Sequence, residues 1–213
     1  MINSELVAGI ILAGGESRRM NFKDKSFKKI NKITILDLVI ERTLKQVDKL
    51  AINSNNIDPN TDYKGLPVLK DTIQGNLGPL VGVLTGFEWI KSINKNYKWL
   101  ATFPVDSPFF PIDLVDTFFL NLKDENIIVA KSNKRIHPVF ALWNIDLMES
   151  LRKSIDKNTR KIDDFTKKNK IKVVNFRIID YDPFFNINNK DDLLKANKIN
   201  ELIARKGIRD EFC

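Results

Sequence analysis

Short apolar runs alternate with helix-periodic runs along almost the whole chain, and that alternation leaves few folds open to it. The runs at 6–12, 50–53, 67–70 and 99–103 have the length and side-chain content of buried strands. Between them, 35–47 places Leu36, Ile40, Leu44 and Val47 on one helical face, and Leu80, Leu84, Phe87 and Ile90 repeat the pattern after Pro79. Strands separated by helices imply βαβ units. A mainly parallel α/β sheet with helices on both faces is therefore expected.

The second half predicts a helix at 112–122 after Pro111 and strands at 127–131 and 139–143. These two strands are expected to join antiparallel through Asn133-Lys134-Arg135. Helices at 145–155 and 161–168 and a strand at 171–176 follow, and an amphipathic helix at 191–205 closes the pattern. Phe184 and Phe185 read as core anchors, with Asn186, Asn188 and Asn189 turning the chain into that last helix. No internal repeat or long Gly/Ser or Pro linker interrupts the pattern, so one domain over residues 1–213 is expected. A chain of this length buries roughly 70% of its extended surface.

Composition excludes several kinds of chemistry. The only cysteine is Cys213, so no internal disulfide can form, and a single histidine, His137, argues against a His-based metal centre or a Ser-His-Asp triad. His137 reads as a hydrogen-bonded core residue. The net charge of +8 favours anionic partners, but the lysines are scattered rather than arranged as an Arg-dense stripe interleaved with aromatics, so no nucleic-acid partner is expected. No apolar run is long enough to span a bilayer, and the first residues lack a basic flank, which points to a cytoplasmic protein without a membrane partner.

Polar groups gather at the predicted strand ends, where open α/β sheets bind ligands. After the first strand, Leu12-Ala13-Gly14-Gly15 leads into Arg18, Arg19 and Lys25. Adjacent glycines bring backbone N–H groups close to a phosphate, and the basic side chains supply charge-assisted donors. The spacing fits neither the P-loop nor the dinucleotide fingerprint. Asn53 and Asn55 end the second strand, Asp71 the third and Asp106 the fourth. Asn53 and Asp71 suit either a nucleoside or a local turn. Asp106, between Pro104 and Pro108, suits either a divalent cation beside phosphate oxygens or a turn before Ser107.

Taken together, these residues resemble the molybdenum cofactor guanylyltransferase family, whose members carry L-A-G-G-x-S-x-R-M-G-x-x-K. The match continues through Asn53-Ser-Asn55, Asp71, Gly78-Pro-Leu-Val-Gly82, Pro104-Val-Asp106-Ser-Pro108, His137-Pro138 and Phe185-Asn-Ile-Asn188. Asn21 stands where the family usually has glycine, and asparagine tolerates the positive φ that such a turn needs.

The resemblance implies a Rossmann-like, GT-A-like nucleotidyltransferase domain that transfers GMP from GTP, with Mg²⁺, to the terminal phosphate of Mo-molybdopterin. It implies that Leu12, Ala13, Gly14 and Gly15 hold the nucleotide, that Lys25 binds its phosphates and that Asn53 and Asp71 contact the nucleoside. Asp106 would bind both GTP and the metal, Arg19 and Lys25 would stabilise the leaving pyrophosphate, and Asn186 and Asn188 would face the acceptor. Nucleotide chemistry falls in about residues 1–110 and the acceptor side in about 111–213, with transient contacts to proteins that deliver or accept the cofactor. A related nucleotidyltransferase with another phosphorylated acceptor shares the glycine-rich opening, and a non-catalytic nucleotide-binding module is the remaining alternative.

Overall fold

The computed structural model describes residues 6–13, 25–56, 63–75, 78–93 and 96–206. The chain begins with β1 (Val7–Leu12), a hairpin of β2 (Lys29–Ile30) and β3 (Ile33–Thr34), and α1 (Ile35–Leu44). Next come β4 (Lys49–Asn53), β5 (Val68–Leu69), α2 (Pro79–Ile93), β6 (Trp99–Pro104) and α3 (Leu114–Asn121). The remainder is β7 (Ile127–Ser132), β8 (Arg135–Asn144), α4 (Met148–Asp156), α5 (Ile162–Thr166), β9 (Ile171–Asn175) and α6 (Lys190–Lys206).

Seven strands form one sheet in the order β5-β4-β1-β6-β8-β7-β9. β5, β4, β1 and β6 are parallel, and β7 is parallel to β9. Only β8 is reversed, pairing antiparallel with both β6 and β7. The sheet is mainly parallel, as expected.

Side-chain alternation divides the core in two. In β1, Val7 and Ile11 pack with α1, α3 and α6 on one face, while Ala8, Ile10 and Leu12 pack with α2, α4 and α5 on the other. Helices therefore cover both faces, which accounts for the nearly unbroken apolar character of β1.

The structure departs from the expected elements in four places. α1 stops at Leu44 rather than residue 47, because Val47 is already buried in the connection to β4 and the Gln46 amide is committed to Arg42 O, Pro111 O and Val115 N. The predicted helix at 145–155 opens as a 3-10 turn, Ile145–Leu147, in which Asn144 Oδ1 accepts the Asp146 N–H before α4 begins.

β8 starts at Arg135 rather than 139. Pro138 normally argues against a strand interior, but the β7–β8 register shifts between Val129 and Ala130, and Pro138 lies in the unpaired stretch opposite that shift. The β2–β3 hairpin is too short for periodicity to reveal it. Its turn residues Asn31 and Lys32 both have positive φ (44° and 80°), as do Asn133 and Lys134 (40° and 66°) in the predicted β7–β8 turn.

The start of α6 matches the asparagine-rich turn expected there. Asn189 Oδ1 accepts the Asp192 N–H at 2.9 Å, and Asp192 Oδ2 accepts the Asn188 N–H at 2.9 Å. Reciprocal bonds of this kind satisfy donors that the first helical turn leaves without partners. Asn189→Ala is expected to lower unfolding free energy by about 1 kcal/mol in urea denaturation; an unchanged midpoint and slope would show that the cap contributes nothing. Among the described residues no helix is long and apolar enough to cross a membrane.

Candidate functional site

Four parallel strands end at one level, and the backbone ties their ends together. Leu12 pairs with Asn53 on one side and with Pro104 on the other, and Asn53 pairs with Leu69. Past the strands, Ala13 N donates to Asn53 O (2.9 Å), Val105 N to Leu12 O (3.2 Å) and Ser54 N to Leu69 O (2.9 Å). Ala13, Asn53, Asp71 and Asp106 thus leave the sheet along one edge.

Asn53 is 3% exposed, so its amide needs partners within the protein. Its Nδ2 donates to Asp71 Oδ1 at 2.9 Å and to Leu69 O at 3.3 Å. Asn55 Nδ2 donates to Asp71 Oδ2 at 2.8 Å, while Asp71 N donates to Asn55 Oδ1 at 2.9 Å. Each carboxylate oxygen of Asp71 is held by a different amide, which fixes the plane of the group without a cation. A carboxylate with lone pairs remaining can still accept N–H or O–H groups from a ligand.

Helix α2 lies directly on this edge because Gly82 has no side chain. A Cβ there would sit 2.6 Å from Leu12 Cδ2 and 2.7 Å from Asn53 Oδ1. Gly78, just before the helix, has φ of +85°, and a Cβ on it would lie 2.9 Å from Arg160 O. The two glycines of the Gly78-Pro-Leu-Val-Gly82 segment therefore have separate reasons: a close approach at Gly82, and a left-handed turn against the α4–α5 connection at Gly78.

Asp106 is half-buried in the turn after β6, and its backbone carbonyl accepts the Ile187 N–H at 2.8 Å. This bond draws the segment before α6 to the same edge. Asn186 stands next to Ile187, and its Oδ1 is buried with no hydrogen-bond donor among the described residues. Asn188 is exposed, with its backbone committed to the start of α6.

The structure brings together Leu12, Ala13, Asn53, Asp71, Asp106 and Asn186. Gly14, Gly15, Arg18 and Arg19 lie outside the described residues. Lys25 opens a short 3-10 turn, Lys25–Phe27, but its side chain lies outside them as well.

No group of three or more His, Cys, Asp or Glu side chains is arranged to hold a metal among the described residues. Asp106 offers one hard carboxylate. That suits Mg²⁺, which takes one or two carboxylates and completes its octahedron with phosphate oxygens and water.

A polar chain that the sequence did not disclose stands behind this edge. Ser132, 0% exposed, has its Oγ 2.8 Å from both His137 Nε2 and Asp182 Oδ1. Because a carboxylate only accepts, the single hydroxyl hydrogen goes to Asp182, and Ser132 Oγ accepts the His137 Nε2–H. Burial pushes the His137 imidazole below its ordinary value, Asp182 opposes this, and Arg135 adds to it, which favours the neutral ring. Only the His137-Pro138 and Asp182-Pro183 dipeptides hint at these positions in the sequence. His137 is a hydrogen-bonded structural residue, as its sequence context implied.

Residues 9–171 match the family model of the MobA-like NTP transferase domain. Over 199 residues the chain is 40% identical to the molybdenum cofactor guanylyltransferase of Mesorhizobium japonicum, an alignment covering 91% of this chain and 95% of that protein. The crystal structure of molybdopterin-guanine dinucleotide biosynthesis protein A from Archaeoglobus fulgidus matches at a TM-score of 0.71 and 16% identity, covering 92% of this chain and 99% of that one. The 4-diphosphocytidyl-2C-methyl-D-erythritol synthase of Anaerococcus prevotii matches at 0.67 and 13% identity, covering 92% and 96%. At such identities the two solved structures establish a common fold.

Proposed function

Because the chain belongs to the molybdenum cofactor guanylyltransferase family, we infer that it transfers GMP from GTP to the terminal phosphate of Mo-molybdopterin, releasing pyrophosphate and forming the guanine dinucleotide cofactor. The observation that carries this reading is the shared edge on which Ala13 N donates to Asn53 O, the Asn53 side chain donates to Asp71, and the turn holding Asp106 is joined through Val105 N to Leu12 O.

The acceptor phosphate is already anionic, so its oxygen attacks the α-phosphorus of GTP without a dedicated general base. One P–O bond forms, and the bond to the departing pyrophosphate breaks. The protein supplies alignment and charge. Leu12 to Gly15 cradle the nucleotide, and Asn53 and Asp71 read the nucleoside end. Arg19 and Lys25 offset charge growing on the leaving group, and Asn186 and Asn188 face the acceptor. Asp106 supplies the carboxylate that would hold Mg²⁺, an ion that when bound neutralises phosphate oxygens. The net charge of +8 suits two polyanionic substrates. We place the reaction in the cytoplasm, with transient contacts to proteins that deliver or receive the cofactor.

The test is pyrophosphate release with a panel of nucleotides and Mo-molybdopterin. GTP at 100 times its dissociation constant is expected to raise the melting temperature by about 5–11 °C, from about 2.7 kcal/mol of binding at about 2–4 °C per kcal/mol. Turnover should require GTP, Mg²⁺ and the loaded pterin together, and Lys25→Ala should lose far more activity than Lys23→Ala. A melting shift with CTP or UTP but not with GTP, without turnover of Mo-molybdopterin, would favour a related nucleotidyltransferase with another acceptor. Binding without pyrophosphate release would make the protein a nucleotide-binding module.

A further inference from the structure

The segment from Asp182 to Asn188 is held at both ends, and only one hold involves the strand edge described above. At its far end, Ile187 N donates to Asp106 O at 2.8 Å. At its near end, Asp182 Oδ1 accepts both Ser132 Oγ–H at 2.8 Å and Phe184 N–H at 3.0 Å, and Asp182 O accepts Phe185 N–H at 3.0 Å. Asn186, with its buried acceptor oxygen, lies between the two holds.

The near hold depends on one orientation of one hydroxyl. Ser132 is 0% exposed, so bulk solvent does not replace a lost partner, and its oxygen accepts the His137 N–H, leaving its hydrogen to Asp182. The ring of His137 also lies 4.8 Å from that of Phe184, so the same residue braces the segment by packing. Ser132 and His137 belong to the β7–β8 hairpin, where the register shift at Val129/Ala130 sets His137 opposite Ala130 and within reach of Ser132.

We propose that His137 and Ser132 are positioning residues for the acceptor substrate: they hold Asp182, and through it the 182–188 segment, so that Asn186 meets the acceptor beside Asp106. This inference rests on the guanylyltransferase reading for the identity of the acceptor. The nucleotide end of the site is organised separately, by Asn53, Asn55 and Asp71, and does not share this relay.

Three variants separate the relay from simple packing. His137→Asn is too short to reach Ser132, Ser132→Ala removes the hydroxyl, and His137→Gln restores an N–H donor at the position of Nε2. In the first two, the KM for Mo-molybdopterin is expected to rise about 10-fold to 100-fold, with the KM for GTP within about twofold of wild type. His137→Gln is expected to recover most of the loss. Hydrogen exchange in the ligand-free protein supplies a second readout: in Ser132→Ala the Ile187 amide should exchange about tenfold faster or more, while the Ala13 amide, bonded to Asn53, keeps its wild-type rate.

Equal rises in both KM values, or an unchanged Ile187 amide, would overturn the relay. A His137→Gln variant as impaired as His137→Asn would also overturn it, since the imidazole would then be needed for something other than an N–H. Wild-type protein that turns over GTP but not with Mo-molybdopterin would overturn the acceptor identity itself, a result distinct from any of these.

Discussion

Replacing Asp106 with alanine is expected to lower GTP-dependent pyrophosphate release by about a thousandfold or more, the scale seen when a charged group that stabilises phosphoryl transfer is removed. Asp106 holds the 182–188 segment through its backbone carbonyl, which alanine retains, so the Ile187 hydrogen bond should survive. Loss of turnover with a melting temperature near wild type would therefore report the carboxylate alone. Asp106→Asn, of the same shape, should be impaired nearly as much if charge is what matters. Normal turnover in Asp106→Ala would remove the residue from the chemistry.

Gly82→Ala carries the second large effect and acts where α2 meets Asn53, the proposed nucleoside contact. The added methyl would stand 2.6 Å from Leu12 Cδ2 and 2.7 Å from Asn53 Oδ1, closer than side-chain atoms pack. Asn53 cannot simply swing away, because its Nδ2 is committed to Asp71 and Leu69 O. The strain is expected to cost about 1–3 kcal/mol of stability and, by displacing Asn53 and Asp71, to raise the KM for GTP roughly 10-fold to 100-fold.

Gly86 provides the control on the same helix. A Cβ there would lie 2.7 Å from Leu100 Cδ2, a core contact away from Asn53 and Asp71. Gly86→Ala should lose similar stability with little change in the KM for GTP. Equal KM values in the two variants would mean that Gly82 matters for helix packing only.

Much of this was legible along the chain. The buried strands, the helix opening at Pro79, the antiparallel turn at Asn133-Lys134 and the turn into α6 are local properties, set by apolar periodicity, by proline at a first helical position and by residues that tolerate positive φ. The residue types at the strand ends were legible too, because parallel strands that share a sheet present those ends on one edge.

The alternating α/β order, the polar residues that close β1, β4, β5 and β6, and the motif set that marks the family are all written in the linear order of residues. Tertiary structure decided how those residues are held: the Asn53-Asp71-Asn55 lock, the close approach of α2 at Gly82 and the chain from His137 through Ser132 to Asp182. Ser132 and Asp182 are 50 positions apart, and they meet only because a register shift in β8 and the packing of Phe184 bring two separate elements together. Periodicity records which way a side chain faces within its own element, whereas a hydrogen bond between elements depends on register and packing that no local pattern encodes.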